Sequence, residues 1–156
     1  MDRDAFTAAL GWIFENSPWV AERSWAHRPF AALLDLHEAM VREVSGADSE
    51  AQLALIRAHP DLGARLRMSD ASVGEQTGAG LDRLTAAEFE SLRRLNEAYR
   101  EKFGFPFIFA VKGSTKHDIL RALESRLAGD PAAEHATALA QVYRIAQFRI
   151  EDTIHA

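Results

Sequence analysis

One stretch of this chain has the composition of a β-strand and nothing to pair with. Phe105-Pro106-Phe107-Ile108-Phe109-Ala110-Val111 is a concentrated apolar run. A lone strand leaves its backbone N–H and C=O groups unpaired. The other apolar stripes recur at three- and four-residue spacing, the period of a helix face. Together these features predict an all-α fold, a single compact multi-helix bundle spanning residues 1–156. Residues 105–111 then read as an extended segment buried between helices, with some peptide groups free.

Capping residues, glycines and prolines divide the chain. Asp2 or Asp4 caps a first helix through Ala5, Ala8, Leu10 and Ile13. Ser17-Pro18 reads as an N-cap with proline at the first helical position; this second helix carries Trp19, Val20 and Trp25 and ends near Arg28-Pro29. Pro29 starts a third, with Phe30, Leu33, Leu36, His37 and Met40 on one stripe, closed by Ser45-Gly46. Asp48 or Ser49 opens a fourth that runs to Ala58. His59-Pro60 stops it, because a residue before proline avoids the helical region. Residues 61–71 read as irregular, followed by a short helix from Ser72 to Gly78 or Gly80. Thr85-x-x-Glu88 is a capping box for a long helix carrying Leu92, Asn96 and Tyr99, closed by Gly104. Gly113 reads as a turn. Thr115 caps a helix through Leu127, Gly129-Asp130-Pro131 turns the chain, and the last helix runs from Ala132 to about Ile154.

Composition excludes several classes of function. There is no cysteine, so thiolate nucleophiles, disulfides and zinc-thiolate sites are out. Eighteen basic against 23 acidic residues give a net charge of −5, which argues against a nucleic-acid partner. No apolar run approaches the roughly 20 residues that cross a bilayer, and Met1-Asp2-Arg3-Asp4 lacks the basic-then-apolar order of a signal peptide. A cytoplasmic location without membrane attachment is expected. His37-Glu38 has no second histidine four residues on, so no helical zinc motif is present and no metal is expected.

The groups able to do chemistry cluster in the middle. His59-Pro60-Asp61-Leu62-Gly63 is followed by Ser72-Val73-Gly74-Glu75-Gln76 and Ala79-Gly80-Leu81. An imidazole, a hydroxyl, a carboxylate and an amide are thus close in sequence. Each has a plainer reading. His59 suits a helix C-terminus, where an imidazole meets the negative end of the dipole. Ser72-x-x-Glu75 has capping-box spacing. Phe107 to Val111 suits a core, although unpaired peptide groups in an apolar wall also read the edge of an amide-rich ring. Arg149, on the last helix, reads by default as an exposed cation.

Taken in order, these segments resemble the OHCU decarboxylase family, where OHCU is 2-oxo-4-hydroxy-4-carboxy-5-ureidoimidazoline. The likeness rests on His59-Pro-Asp-Leu-Gly, Ser72-x-x-Glu-Gln-x-x-Ala-Gly-Leu, Leu95-Asn96-x-x-Tyr99-x-x-Lys102-Phe103-Gly104-Phe105-Pro106-Phe107, and Ala110-Val111-Lys112-Gly113. Asn16-Ser17-Pro18-Trp19-Val20 and Arg149 also fit. The resemblance implies a cofactor-free enzyme that decarboxylates OHCU to (S)-allantoin in urate breakdown. It places the catalytic histidine on His59 and the catalytic carboxylate on Glu75. Substrate-binding positions fall on Pro60, on Ser72, Val73, Gly74, Glu75 and Gln76, on Phe107, Ile108, Phe109, Ala110 and Val111, and on Arg149. It also implies a homodimer, and leaves open a functional coupling to the preceding hydroxyisourate hydrolase.

Side chains suit that reaction. The substrate carries a conjugated C=N beside the carbon that loses CO2, so the ring is its own electron sink and needs no pyridoxal or thiamin. The protein has to place groups and move protons. Two other readings remain: a helical binding module without catalysis, which composition alone favours, and a metal-dependent ureido hydrolase, which the poverty of ligands disfavours.

Overall fold

The computed structural model describes residues 2–60, 85–112 and 114–153. The expected irregular stretch over 61–71, the short helix after Ser72, the turn at Gly113 and the helix end at Ile154 lie outside the described residues. Among those described are seven α-helices and no strand: α1 Arg3–Leu10, α2 Trp19–Ser24, α3 Leu33–Ser45, α4 Ser49–Ala58, α5 Ala86–Phe103, α6 Lys116–Leu127 and α7 Pro131–Thr153. The all-α expectation is met. The chain divides into two compact units, residues 1–59 with 142–156, and residues 60–141. α7 contributes residues to both.

In the first unit, Asp2 caps α1 by accepting the Ala5 N–H at 2.8 Å. The helix stops at Leu10 rather than continuing through Ile13. Gly11 is the C-cap, and its N–H makes the last helical bond, to Thr7 C=O at 2.7 Å. A Cβ there would stand 2.6 Å from that oxygen and 3.1 Å from Pro18 Cβ, so only glycine lets the chain pass so close. Asn16 then takes φ 45°, a left-handed conformation that asparagine tolerates. Ile13 and Phe14 are buried from this loop instead of from a helix.

Ser17 does not cap α2. Its hydroxyl donates to Glu15 C=O at 2.9 Å, and Pro18 takes the N-cap place in helical conformation. A 3₁₀ turn, Trp25–His27, follows α2. α3 begins at Leu33, not at Pro29. Arg28 is extended, as a residue before proline is, and its guanidinium lies 3.9 Å over the Trp25 ring. The chain turns helical where the Ala32 N–H finds the Asp35 carboxylate at 3.1 Å. Asp48 caps α4 as expected.

In the second unit, α5 opens with the expected capping box. Thr85 Oγ1 accepts the Glu88 N–H at 3.1 Å and Glu88 accepts the Thr85 N–H at 2.9 Å. It closes at Gly104, φ 76°, where a residue without Cβ is favoured. Residues 105–111 are neither helix nor strand, and most are buried. Phe105 and Phe107 pack edge-on against Tyr99, with centroids 5.9 and 5.4 Å away. Thr115 caps α6, accepting the Asp118 N–H at 3.2 Å. Lys102 Nζ donates to Leu127 C=O at 2.7 Å, where a cation suits the end of α6.

The extended segment is tied to its neighbours through a buried polar cluster. Arg126 on α6 donates from Nη1 to Ile108 C=O at 2.7 Å and from Nε to Glu134 at 2.8 Å. Tyr99 donates its hydroxyl to the same Glu134 oxygen at 2.6 Å. Burial first, and then the bond to Glu134, raise the Tyr99 hydroxyl well above its ordinary pKa of 10, so it remains a donor. The Arg126 guanidinium also lies 4.6 Å over the Phe107 ring.

Arg126→Met leaves Glu134 buried without its cation and is expected to cost about 3–5 kcal/mol. Tyr99→Phe removes one charge-assisted bond and should cost about 1.5–3 kcal/mol. Denaturant midpoints check the order; equal losses would show that the pair with Glu134 is not the stronger tie.

A second expectation concerns acid. Lys116 Nζ lies 2.7 Å from Glu88. That bond, then the one from the Thr85 N–H, lowers the Glu88 carboxyl from 4.5 to about 2. A carboxyl depressed by folding favours the folded chain above the unfolded value of 4.5, and the contribution fades as pH falls toward about 2. Lys116→Met should move the Glu88 titration up toward 4.5, followed by carboxyl carbon NMR. An unmoved titration would remove Lys116 as the cause.

Candidate active site

His59 is buried, 3% exposed, at the C-cap of α4 with extended backbone (φ −75°, ψ 133°). Pro60 imposes that conformation on the residue before it. The imidazole turns back along the helix it ends. Its Nδ1 lies 2.9 Å from Leu55 C=O. A carbonyl only accepts, so Nδ1 carries the hydrogen. In the neutral ring Nε2 is then the acceptor nitrogen. The capping reading of His59 is therefore correct as geometry, and it fixes both ring plane and tautomer.

Phe107, Ile108, Ala110 and Val111 are buried and Phe109 is half-buried. The expectation that some peptide groups here are free narrows. Ile108 C=O is taken by Arg126, and the Ala110 N–H donates to Gln141 Oε1 on α7 at 2.9 Å. Val111 C=O accepts from the Ser114 N–H at 3.0 Å. These bonds hold the segment extended. Reading the sequence named neither Arg126 nor Gln141. Near the end of α6, Arg126 looks like an ordinary cation complementing the dipole, and a glutamine in mid-helix gives no signal.

Arg149 corrects a default. It is not an exposed cation but 9% exposed. Nη1 lies 2.8 Å from Glu15 Oε2 and 3.4 Å from the carbonyls of Trp12 and Ile13. The guanidinium also faces the Trp12 ring at 5.5 Å. In this arrangement it holds the loop after α1 against α7.

His59 and Arg149 thus belong to the first unit, Pro60 and Phe107 to Val111 to the second. Ser72, Val73, Gly74, Glu75 and Gln76 lie outside the described residues. A hollow of about 530 Å³ opens between α3 and α7, lined by Leu34, His37, Glu38, Arg42 and Tyr143 among others. It contains none of the expected site residues. His37 is anchored there, donating from Nε2 to Tyr143 C=O at 2.8 Å.

Comparison with known proteins agrees with this fold. A family model described as OHCU decarboxylase matches residues 1–151. The uric acid degradation bifunctional protein PucL of Bacillus subtilis is 53% identical over 99% of this chain, which spans 31% of that longer protein. The 2-oxo-4-hydroxy-4-carboxy-5-ureidoimidazoline decarboxylase of Haloferax volcanii is 48% identical over 97% of this chain and 90% of its own length. Among solved structures, an (S)-allantoin synthase superposes with a TM-score of 0.81 at 35% identity, over 99% of this chain and 51% of that one. An OHCU decarboxylase solved in the presence of (S)-allantoin gives 0.74 at 22% identity over 96% of each chain, a likeness of fold. With its family model matched almost end to end and a relative of similar length at 48% identity, the chain belongs to the OHCU decarboxylase family.

Proposed function

We propose that this chain carries out its family's reaction, removing CO2 from OHCU to give (S)-allantoin in urate degradation, with side chains alone. The observation that carries the assignment of residues is the buried His59, whose Nδ1–H is committed to Leu55 C=O. The imidazole is thereby aimed, and Nε2 is its proton-handling atom.

In this reading Nε2 meets the hydroxyl on the carbon that bears the carboxylate. The C–CO2 bond breaks, its electron pair forms a C=C bond in the ring, and the nitrogen of the conjugated C=N takes up the displaced pair and gains a proton. The enol-like intermediate then collapses. Its hydroxyl gives up a proton and becomes the carbonyl, while the ureido-bearing carbon gains a proton on one face. A fixed donor delivers the S product, whereas water gives a racemate. His59 is the first choice for that donor and Glu75 the second.

Glu75 orients His59 or holds the ureido N–H groups. Ser72, Val73, Gly74 and Gln76 bind the ureido and ring amides, and Pro60 lines the site. The segment from Phe107 to Val111 holds the ring edge. Arg149 faces the anionic or carbonyl edge through whatever part of its fork Glu15 leaves to it, since a guanidinium bonds two planar oxygens at once.

The same reading takes residues 1–156 as one functional domain, in a cytoplasmic homodimer that needs no metal or cofactor. Coupling to the preceding hydroxyisourate hydrolase belongs to the same reading, and a relative named as bifunctional in uric acid degradation, of which this chain spans 31%, supports a second activity of the same route beside this one.

The test supplies freshly generated OHCU and follows the optical activity of the allantoin formed. The chain should accelerate one enantiomer; the spontaneous racemic rate would mark a binding module instead. His59→Asn should lower turnover by about 10²–10⁴-fold, the usual worth of an acid–base group, and near-normal turnover removes His59 from the mechanism. A chelator should change nothing, and activity lost to it but restored by zinc would overturn the cofactor-free reading.

A further inference from the structure

Asn96 lies on the buried face of α5 with Leu92 and Tyr99. It is 7% exposed, and neither its side-chain oxygen nor its nitrogen has a hydrogen-bond partner among the described residues. Buried amides are nearly always satisfied, so an orphan of this kind calls for an explanation. A leucine has the same branching at Cγ without the polar penalty.

The register of the second unit says what Asn96 faces. At one level of α5, Tyr99 packs against Phe107. Near the start of α5, Glu88 pairs with Lys116. Phe107 and Lys116 therefore lie at successive levels of α5, in the order opposite to that of the helix. Asn96 is one turn before Tyr99 on the same face, about 4.5 Å up the axis at 1.5 Å per residue. Interpolation between those two anchors assigns the stretch just beyond Phe107 to that level. This is the segment assigned above to the ring edge, and its Ile108 C=O and Ala110 N–H already have partners. Asn96 brings what those two peptide groups no longer offer, a donor and an acceptor side by side.

We infer that Asn96 is a further substrate-reading residue, whose carboxamide takes an N–H and C=O edge of the ureidoimidazoline through two paired hydrogen bonds. The inference rests on the proposed function for the identity of the ligand. A site built to pair a polar edge discriminates against analogues lacking it, because its own groups are then left unpaired. The orphaned amide is the corresponding cost in the folded chain, as is common where stability is traded for function.

The experiment measures thermal stability, kcat/KM on OHCU and affinity for (S)-allantoin by calorimetry, in the whole chain and in Asn96→Leu. The expected result is a midpoint that is unchanged or raised, with kcat/KM lowered and the allantoin Kd raised, each by about 10–100-fold for two lost bonds. A leucine variant that is stabilised yet keeps both values overturns the inference, because the orphan is then only a packing defect. Should Asn96→Leu not fold, Asn96→Ala carries the same comparison; failure of both to fold makes the amide structural and also overturns it. The parent reading fails separately. Wild-type chain that binds (S)-allantoin without speeding decarboxylation sinks the catalytic assignment but leaves Asn96 testable by affinity.

Discussion

An extended peptide with no neighbouring strand must find its donors and acceptors elsewhere, and this requirement organises the second unit. Ile108 C=O draws in Arg126, and Ala110 N–H draws in Gln141. A guanidinium taken out of water needs a counter-charge, which Glu134 supplies at 2.8 Å. Glu134 is itself buried, so it needs more than one donor, and the Tyr99 hydroxyl provides the next at 2.6 Å. Tyr99 in turn presents its ring to Phe103, Phe105 and Phe107. One unpaired carbonyl thus accounts for a chain of polar groups whose last member is the aromatic floor under the segment.

The first unit solves a similar problem with the same kind of residue. The loop after α1 begins at Gly11, where the chain passes too close to Thr7 and Pro18 for a side chain. Arg149 approaches its carbonyls at Trp12 and Ile13, the second of them buried, while Glu15 balances its charge. In each unit an arginine on a long helix fixes a non-helical stretch of backbone. Such buried pairs seldom add much net stability, because desolvation offsets their attraction. What they supply here is placement: they decide where an irregular segment lies. The apolar residues around them, such as Met40, Val44 and Ile56 in one unit and Leu92, Ile119 and Leu123 in the other, supply the burial energy.

This division explains what was legible in the sequence. Capping residues act within three or four positions, so Asp2, Asp48, Thr85 and Thr115 announced their helices correctly. Pro60 acts on its immediate neighbour and gave the end of α4. The unpaired run at 105–111 was readable from what the sequence lacks, a second strand. Errors came where one local contact displaced the local signal that had been read. Ser17 looked like a cap, but its hydroxyl turned to Glu15 C=O. Pro29 looked like a helix start, but Arg28 folds over Trp25 and α3 waits for the Ala32–Asp35 bond. Arg149, Arg126 and Gln141 were illegible for one reason: their partners are many residues away, and spacing says nothing about contacts at that range. His59, Pro60 and residues 107–111 were nameable because a family resemblance marked them, not because their chemistry was evident from composition.

The two readings of His59, helix cap and proton carrier, use different atoms of one ring. The cap engages Nδ1, which must keep its hydrogen because its partner is a carbonyl. The proton transfer proposed above would engage Nε2 and leave the cap in place. Had the ring hung from a loop, its orientation would depend on substrate contacts made one at a time. Anchored to the last turn of α4 and held extended by Pro60, it is oriented before substrate arrives. Preorganisation of this kind serves an acid–base group best, since the geometry of its proton transfer tolerates little displacement. The plain structural role is thus the physical basis on which the catalytic role proposed for His59 would stand.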